Sequence, residues 1–434
     1  QKILELCKII RKIITGKDKG IPSGKLVAMS KKKIPLFILA LIVLGLALSQ
    51  YPPIKRRLSW RIEIAKTYLR GVANPAGPVP TAQPAPTRLA SPTPQSIIPT
   101  LETITPTQQP TLTARSVPLP AQASLPVPAY ELQDMNNCGP ASLTMALRYY
   151  GWDGDQFDIS DLIKPIPQDR NVNPEEMVYY VRNYAGWLRA EYRVNGNLLL
   201  LKKLIAAGYP VLIEETFHFD DAYWPNDDLW AAHYMLLTAY DDESQTFVGQ
   251  DSYHGANQTL SYERIEEDWQ PFNHVYMLIY LPEDEAELQE LLGDDWSEET
   301  NRLNALQASQ RATQVNPEDT YAWFNLGSNL LYFERYTESA NAYDMARSLG
   351  LPQRMMRYQF GPFIASFQDH RTEDLLTLTE YALQRTPNSE EALLWRGWAL
   401  YRQGDFDKAI TNWESALHHR PDYLDAEYAL DFVR

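Results

Sequence analysis

The sequence predicts a multidomain chain: an N-terminal transmembrane helix, a disordered proline-rich linker, an α+β domain and an all-α domain built from helical repeats. Three observations predict it. Residues Ile34 to Ile54 carry no charge over 21 positions. Residues 71–128 hold 14 prolines and almost no charge. Pro282, Pro317, Pro352 and Pro387 recur every 35 residues, and Pro421 follows 34 later.

At about 1.5 Å per residue the uncharged run reaches about 31 Å, the thickness of a hydrocarbon core. It reads as a single membrane span at 34–54. A basic tail, 1–33, contributes ten Lys/Arg before it, and six more follow within 20 residues. That asymmetry favours a cytoplasmic N-terminus and an exported body in the cell membrane. A signal peptide cleaved after Ala47-Leu48-Ser49 is the alternative to an anchor, and the anchor is favoured because that small-residue site is imperfect. Met29, followed by Ser30 and three lysines, resembles a natural start.

Charge is split. Residues 1–70 carry about +13, and the remainder about −28. An acidic body repels phosphate, so nucleic acid is not an expected partner. The basic end suits anionic lipid. The two cysteines, Cys7 and Cys138, fall on opposite sides of the span, so no disulfide is expected and Cys138 is a free thiol.

The linker at 71–128 cannot bury a core and is expected to be extended or disordered, a spacer of at most about 180 Å. From 129 to 281 helical patterns come first: Cys138 to Tyr150, a start at Asn173-Pro174-Glu175-Glu176, and "NLLLLKKLIAAG". Then "YPVLIEE", "HYMLLTAY", "TFVGQD" and "HVYMLIYL" read as strands, giving an α+β domain with an antiparallel sheet.

Residues 282–434 show only helical patterns. In the unit after Pro317 stand Trp323, Leu326, Gly327, Tyr343 and Ala346; after Pro387 stand Gly397, Ala409, Trp413 and Ala416. The period and this order resemble the tetratricopeptide repeat. The unit 352–386 keeps little beyond Ala382, and the unit 282–316 keeps Ala305 and Ala312. The resemblance implies a solenoid that binds a protein or peptide partner.

Cys138 falls at the start of a helix, where unpaired N–H groups and the macrodipole lower a thiol pKa. Asn136-Asn137 supply the cap, and Gly139 lets a substrate backbone approach. Gln133, five residues upstream, can donate an amide to an oxyanion beside the Cys138 N–H. His233, on a strand, is the first candidate for general base, with His218 and His254 as alternatives. Asp251, on the next strand, can orient it if the two strands form a hairpin; Asn257 and Asp242 are alternatives. The His/Cys spacing suits no metal site, and no cofactor is expected.

At these residues the chain resembles the papain-like cysteine peptidases, most closely the stand-alone relatives of the bacteriocin-processing peptidases, family thirty-nine. The matching blocks are Gln133, "CGPASLTMALRYYG", "HYMLLTAYD" and Asp251. The resemblance implies Cys138 as nucleophile, His233 as general base and acid, Asp251 as its orienter and Gln133 as oxyanion donor. Trp269 resembles a late packing position. Asn137 stands where many relatives have Asp, and Ser252 where many have Pro. No GxxxxGK[ST] loop is present, so processing coupled to ATP-driven export is not expected.

Directly before His233, "FHFDDAYWPNDDLW" carries four Asp and several aromatics. It is read as a lid selecting cationic or aromatic peptide segments, with Asp220, Asp221, Trp224 and Trp230 as substrate contacts. The expected function is therefore a membrane-anchored, exported cysteine peptidase that hydrolyses peptide bonds and holds protein on its repeats. The alternatives are an acyltransferase using the same triad, and a non-catalytic surface adaptor in which the repeats alone act.

Overall fold

The computed structural model describes residues 52–82, 119–164 and 172–434. The chain divides into two compact units, Gln1–Ala65 and Lys66–Arg434. The expected basic tail and nearly all of the apolar span lie outside the described residues. Among those described, no helix is long and apolar enough to cross a membrane. Helix α1, Pro52–Ala73, is instead rich in charge.

The α+β domain places an antiparallel sheet between two helical layers. Its strands are β1 (Gln122–Ser124), β2 (Arg189–Arg193), β3 (Val211–His218), β4 (Trp230–Asp241), β5 (Thr246–Asp251), β6 (Gly255–Ser261) and β7 (Tyr276–Tyr280). They run in the order β2-β7-β3-β4-β5-β6, with β1 also paired to β4. One face is covered by α2 (Cys138–Tyr149), α3 (Gln156–Ile163) and α4 (Pro174–Tyr184). Leu143, Leu147, Ile159, Met177 and Val181 pack there with Tyr234, Leu236, Met277 and Ile279. The other face is covered by α5 (Leu198–Ala206) and α6 (Tyr262–Trp269), whose Leu204, Ile265 and Trp269 join Met235, Leu237 and Leu278. Strands buried on both faces carry nearly unbroken apolar runs, which is how β3, β4 and β7 read in the sequence. The edge strands β2 ("RAEYR") and β6 ("GANQTLS") are polar, as edges commonly are. That composition hid them.

The helical domain follows with α7 (Glu285–Leu292), α8 (Glu298–Val315), α9 (Thr320–Tyr332), α10 (Tyr336–Leu349), α11 (Met355–Tyr358), α12 (Gly361–Gln368), α13 (Thr372–Arg385), α14 (Glu390–Arg402), α15 (Phe406–His419) and α16 (Leu424–Val433). The pairs α9/α10 and α14/α15 are the two regular units. Their glycines are contact points: a Cβ on Gly327 would lie 2.7 Å from the Tyr343 ring, and one on Gly397 2.2 Å from Trp413. The aromatic of the second helix fills the space that the glycine leaves. In the irregular unit, α11 and α12 take the place of one full-length helix.

The two domains are not joined by a hinge. Asn301 of α8 accepts from the Val194 N–H at 3.0 Å and donates to its carbonyl at 2.9 Å. Asn325 donates to the Gln270 carbonyl, and Asn273 to Asn329, both at 2.8 Å. These side chains are buried, so each bond replaces one that water can no longer supply.

The linker expectation needs correction at both ends. Residues 119–128 are ordered: β1 pairs with β4, Ala123 opposite Tyr240. At the other end α1 runs to Ala73, and 74–80 lie against the repeats with Val79 only 3% exposed. Proline already restricts the unfolded chain, so fixing such a segment costs little entropy. The middle, 83–118, lies outside the described residues.

Candidate active site

Cys138 opens α2, and Asn137 stands at the N-cap position without a side-chain capping bond, contrary to the expected cap. The loop before it is stapled from below. The Gln156 side chain, at the start of α3, accepts from the Asp134 N–H at 2.7 Å and from Asn137 Nδ2 at 3.1 Å. It donates to the Leu132 carbonyl at 2.8 Å. The buried Lys164 ammonium donates to the Asn136 carbonyl at 2.8 Å. Asn136 itself is left-handed, with φ 54°, a conformation asparagine tolerates better than most residues. The loop therefore presents the thiol from a fixed backbone.

His233 and Asp251 come from neighbouring strands, and their meeting depends on one extra residue. β4 and β5 pair Asp241 with Thr246 and Ala239 with Val248, but then Leu237 with Gly249 and Met235 with Asp251. The inserted residue is Thr238, a β-bulge. Without it Asp251 would stand opposite Leu236 and point to the other face. With it, Asp251 shares the face of Met235 and His233.

The resulting bonds are direct. His233 Nε2 lies 2.9 Å from Asp251 Oδ1. The other ring nitrogen is left for the Cys138 thiol, and the two groups lie close enough to shift each other's pKa. Both His233 and Asp251 are 2% exposed. Asp251 is over-determined: Oδ1 also accepts from the Tyr253 and His254 N–H groups at 2.7 and 3.0 Å, and Oδ2 meets His254 Nδ1 at 2.7 Å. The Tyr130 hydroxyl donates to its backbone carbonyl at 3.0 Å.

Charge is distributed accordingly. Burial alone would neutralise His233, but its bonds to Asp251 and Cys138 outweigh that and push its pKa up to about 10. Burial likewise opposes ionisation of Cys138, yet His233, the Tyr234 N–H and Lys164 together bring the thiol below its ordinary range. Asp251, despite burial, is held well below the usual carboxylate range by His233 and His254. Opposite charges within hydrogen-bond reach favour each other's ionised form. The directions of these shifts favour a thiolate–imidazolium pair backed by a carboxylate.

Gln133 is placed by Ser252, the residue at the position where proline had been expected. The Ser252 hydroxyl donates to Gln133 Oε1 at 2.9 Å, and the Gln133 N–H donates to the Ser252 carbonyl at 2.9 Å. With its oxygen occupied, the Gln133 amide has its N–H₂ to offer. Of the alternative candidates, His254 shares the Asp251 carboxylate from its other oxygen, and the rest stand elsewhere. His218 is exposed at the end of β3, Asp242 binds Lys202 and Tyr262, each at 2.8 Å, and Asn257 binds Gln250.

Beside the thiol lies a small pocket lined by Cys138, Gly139, Val172, Glu214, Ala232, Tyr234 and Tyr358. Two of these had no signal in the sequence. Glu214 is a buried carboxyl, and burial first, then the nearby Cys138 charge, raises its pKa well above the ordinary value. That burial favours its neutral form in the pocket wall. Tyr358 belongs to the irregular repeat unit, so the helical domain contributes to the pocket.

The lid expectation is corrected in part. Trp224 is 2% exposed, with its indole stacked 4.0 Å from the Arg354 guanidinium and its Nε1 donating to Gln353 at 2.8 Å. Trp230 is 4% exposed and stacks on Phe272. Both side chains are buried in packing contacts. The loop is clamped by a buried bidentate pair: Arg354 NH1 and NH2 each lie 2.6 Å from an Asp227 oxygen. Asp220 and Asp221 remain exposed. Among the described residues, no group of three or more His, Cys, Asp or Glu side chains is arranged to hold a metal ion.

Comparison with known proteins agrees with this architecture. Residues 115–277 match the Peptidase_C39 like family, and residues 390–423 match the tetratricopeptide repeat. The chain thus joins a C39-like peptidase domain to tetratricopeptide repeats. Among solved structures, a C39-like peptidase from Bacillus anthracis is 18% identical, covering 36% of this chain and 96% of its own, at a TM-score of 0.29. The peptidase domain of Streptococcus ComA, a bifunctional ABC transporter, is 15% identical over 36% of this chain and 99% of its own, at 0.28. On the repeat side, MamA is 14% identical over 30% of this chain and 75% of its own, at 0.28. No curated protein matches the chain.

Proposed function

We propose that the protein is a cysteine peptidase that hydrolyses peptide bonds in protein or peptide substrates through Cys138, His233 and Asp251. The observation that carries this reading is the 2.9 Å bond from the His233 imidazole to the Asp251 carboxylate, beside a thiol whose pKa that imidazole lowers. The Cys138 thiolate attacks the scissile carbonyl carbon. The oxyanion is met by the Cys138 N–H and the Gln133 amide. The His233 imidazolium gives its proton to the leaving amine, producing an acyl-thioester. Neutral His233 then takes a proton from water, which attacks the thioester and restores the thiolate. Asp251 holds the ring in orientation throughout.

Asp220 and Asp221, exposed beside the site, favour basic substrate residues in this reading. Residues 34–54 serve as a single membrane anchor with the body exported, carried by the uncharged run and the excess of Lys/Arg before it.

The test is incubation of the full chain with a peptide library, read by mass spectrometry. Wild type should yield new termini, and Cys138→Ala none. Identical products from both, or none from either, would sink the peptidase reading. Asp220→Asn with Asp221→Asn should lower turnover of lysine- and arginine-bearing peptides about threefold to tenfold and leave neutral ones unchanged.

A further inference from the structure

The repeats already hold a peptide, and it is the chain's own. Residues 74–80, Asn-Pro-Ala-Gly-Pro-Val-Pro, cross helices α10 and α13. Arg347 of α10 donates from Nε to the Pro80 carbonyl at 2.8 Å. Tyr381 of α13 donates from its hydroxyl to the Gly77 carbonyl at 3.0 Å. Arg385, one turn further along α13, donates to the Asn74 and Pro75 carbonyls, both at 3.1 Å. Val79 enters the same apolar cluster as Leu375, Leu378 and Tyr381.

The receptor side chains are prepared for this. Arg347 is 2% exposed and is held by Asp374, whose oxygens lie 2.6 and 2.9 Å from NH1 and NH2. That leaves Nε to point at the peptide. Arg385 is 6% exposed. Buried guanidinium donors need acceptors, and here they find main-chain oxygens. Proline offers no N–H, so carbonyls outnumber N–H groups along a proline-punctuated segment, and the groove reads four of them. Two of the bound carbonyls, of Asn74 and Gly77, precede proline and are tertiary amides. Each residue before a proline is also biased to extended backbone, so the segment is shaped for the groove before it docks.

We propose that the groove between α10 and α13 is a receptor site for an extended, proline-punctuated peptide read through its main-chain carbonyls. Residues 74–80 are its ligand in cis, exchangeable for a free peptide of the same pattern. Recognition lies in one apolar side chain at the Val79 position and four carbonyls, so it tolerates changes at Ala76 and requires the prolines.

The test uses the full chain and a dye-labelled peptide of residues 74–82, followed by fluorescence anisotropy. Val79→Asp evicts the tether without touching the groove. That variant should bind the peptide saturably, and wild type about tenfold or more weakly, because its groove is filled. Adding Tyr381→Phe and Arg385→Ala to Val79→Asp should weaken binding about tenfold or more, with an unchanged circular dichroism spectrum. A peptide carrying Pro75→Ala, Pro78→Ala and Pro80→Ala should bind Val79→Asp less tightly than the parent. Equal binding by wild type and Val79→Asp, no binding by Val79→Asp, or indifference to the groove substitutions would overturn the assignment.

Discussion

At the scale of single residues, the site backs a partly exposed thiol with charge on two buried side chains. Because the Cys138 thiol lies below its ordinary range, iodoacetamide should alkylate it rapidly even at mildly acidic pH. Loss of the imidazole in His233→Ala removes the largest favourable influence, and labelling at pH 6 should slow about tenfold or more. Mass spectrometry of the labelled chain checks it, and equal rates would mean that the imidazole does not activate the thiol. Behind His233 stands Glu215, opposite it across β3 and β4. Burial raises the Glu215 pKa from 4.5 to about 8, though the His233 charge opposes that. The folded chain therefore keeps a proton that the unfolded chain releases. Stability should fall as pH rises from about 4.5 to about 8, since the unfolded state binds fewer protons in that window. Glu215→Gln should flatten this slope in urea melts, and an unchanged slope would place its cause elsewhere. His233 runs in a different window: its pKa is raised from 6.5 to about 10, so its contribution is full below 6.5 and lost as pH climbs through 10.

At the scale of elements, the clamp between α11 and the loop before β4 is the most exposed to a simple test. Arg354 and Asp227 are buried at side-chain exposures of 1% and 0%. Removing one partner strands the other's charge, at a cost of about 3–5 kcal/mol. Arg354→Ala and Asp227→Ala should each lower the unfolding free energy from urea melts by that much. The double substitution should cost far less than the sum, and strict additivity would deny the coupling. Packing inside a repeat offers a second case. Gly397→Ala forces a methyl onto Trp413, and about 1–3 kcal/mol should be lost in thermal melts; no change would mean that the helices separate freely. The same elements show what the sequence could disclose. Apolar runs revealed β3, β4 and β7, and Gly-aromatic spacing revealed α9/α10 and α14/α15, because each pattern is written by burial. The polar edges β2 and β6 left no such mark. Cys138, His233 and Asp251 were nameable by type and order. The bulge at Thr238, which fixes the side on which Asp251 stands, was not, because parity depends on pairing and not on composition. Gln156, Ser252 and Glu214 escaped for a related reason. Their roles exist only once distant segments meet.

At the scale of the whole molecule, the peptidase-like domain and the repeats share buried bonds through Asn301, Asn325, Asn329 and Arg354. They should unfold together. Urea melts of the full chain, followed by tryptophan fluorescence and by far-ultraviolet circular dichroism, should coincide in one transition over Lys66–Arg434. Two separated transitions would show independent domains. Tyr358 extends the coupling to the pocket. Tyr358→Ala should change which peptides are cut, or raise KM several-fold, while the rate of Cys138 alkylation stays as in wild type. A fall in alkylation of equal size would assign Tyr358 to the thiol's environment and not to substrate.

Both ends of the proline-rich stretch are moored to the body, one by the carbonyl clasp at 74–80 and the other by the short strand at 122–124. The two moorings belong to one body, so the distance between them is set by that body and not by the length of chain that joins them. Adding or deleting residues there leaves the stand-off between Ala73 and the catalytic domain as it was, and slack is gained only when the clasp lets go.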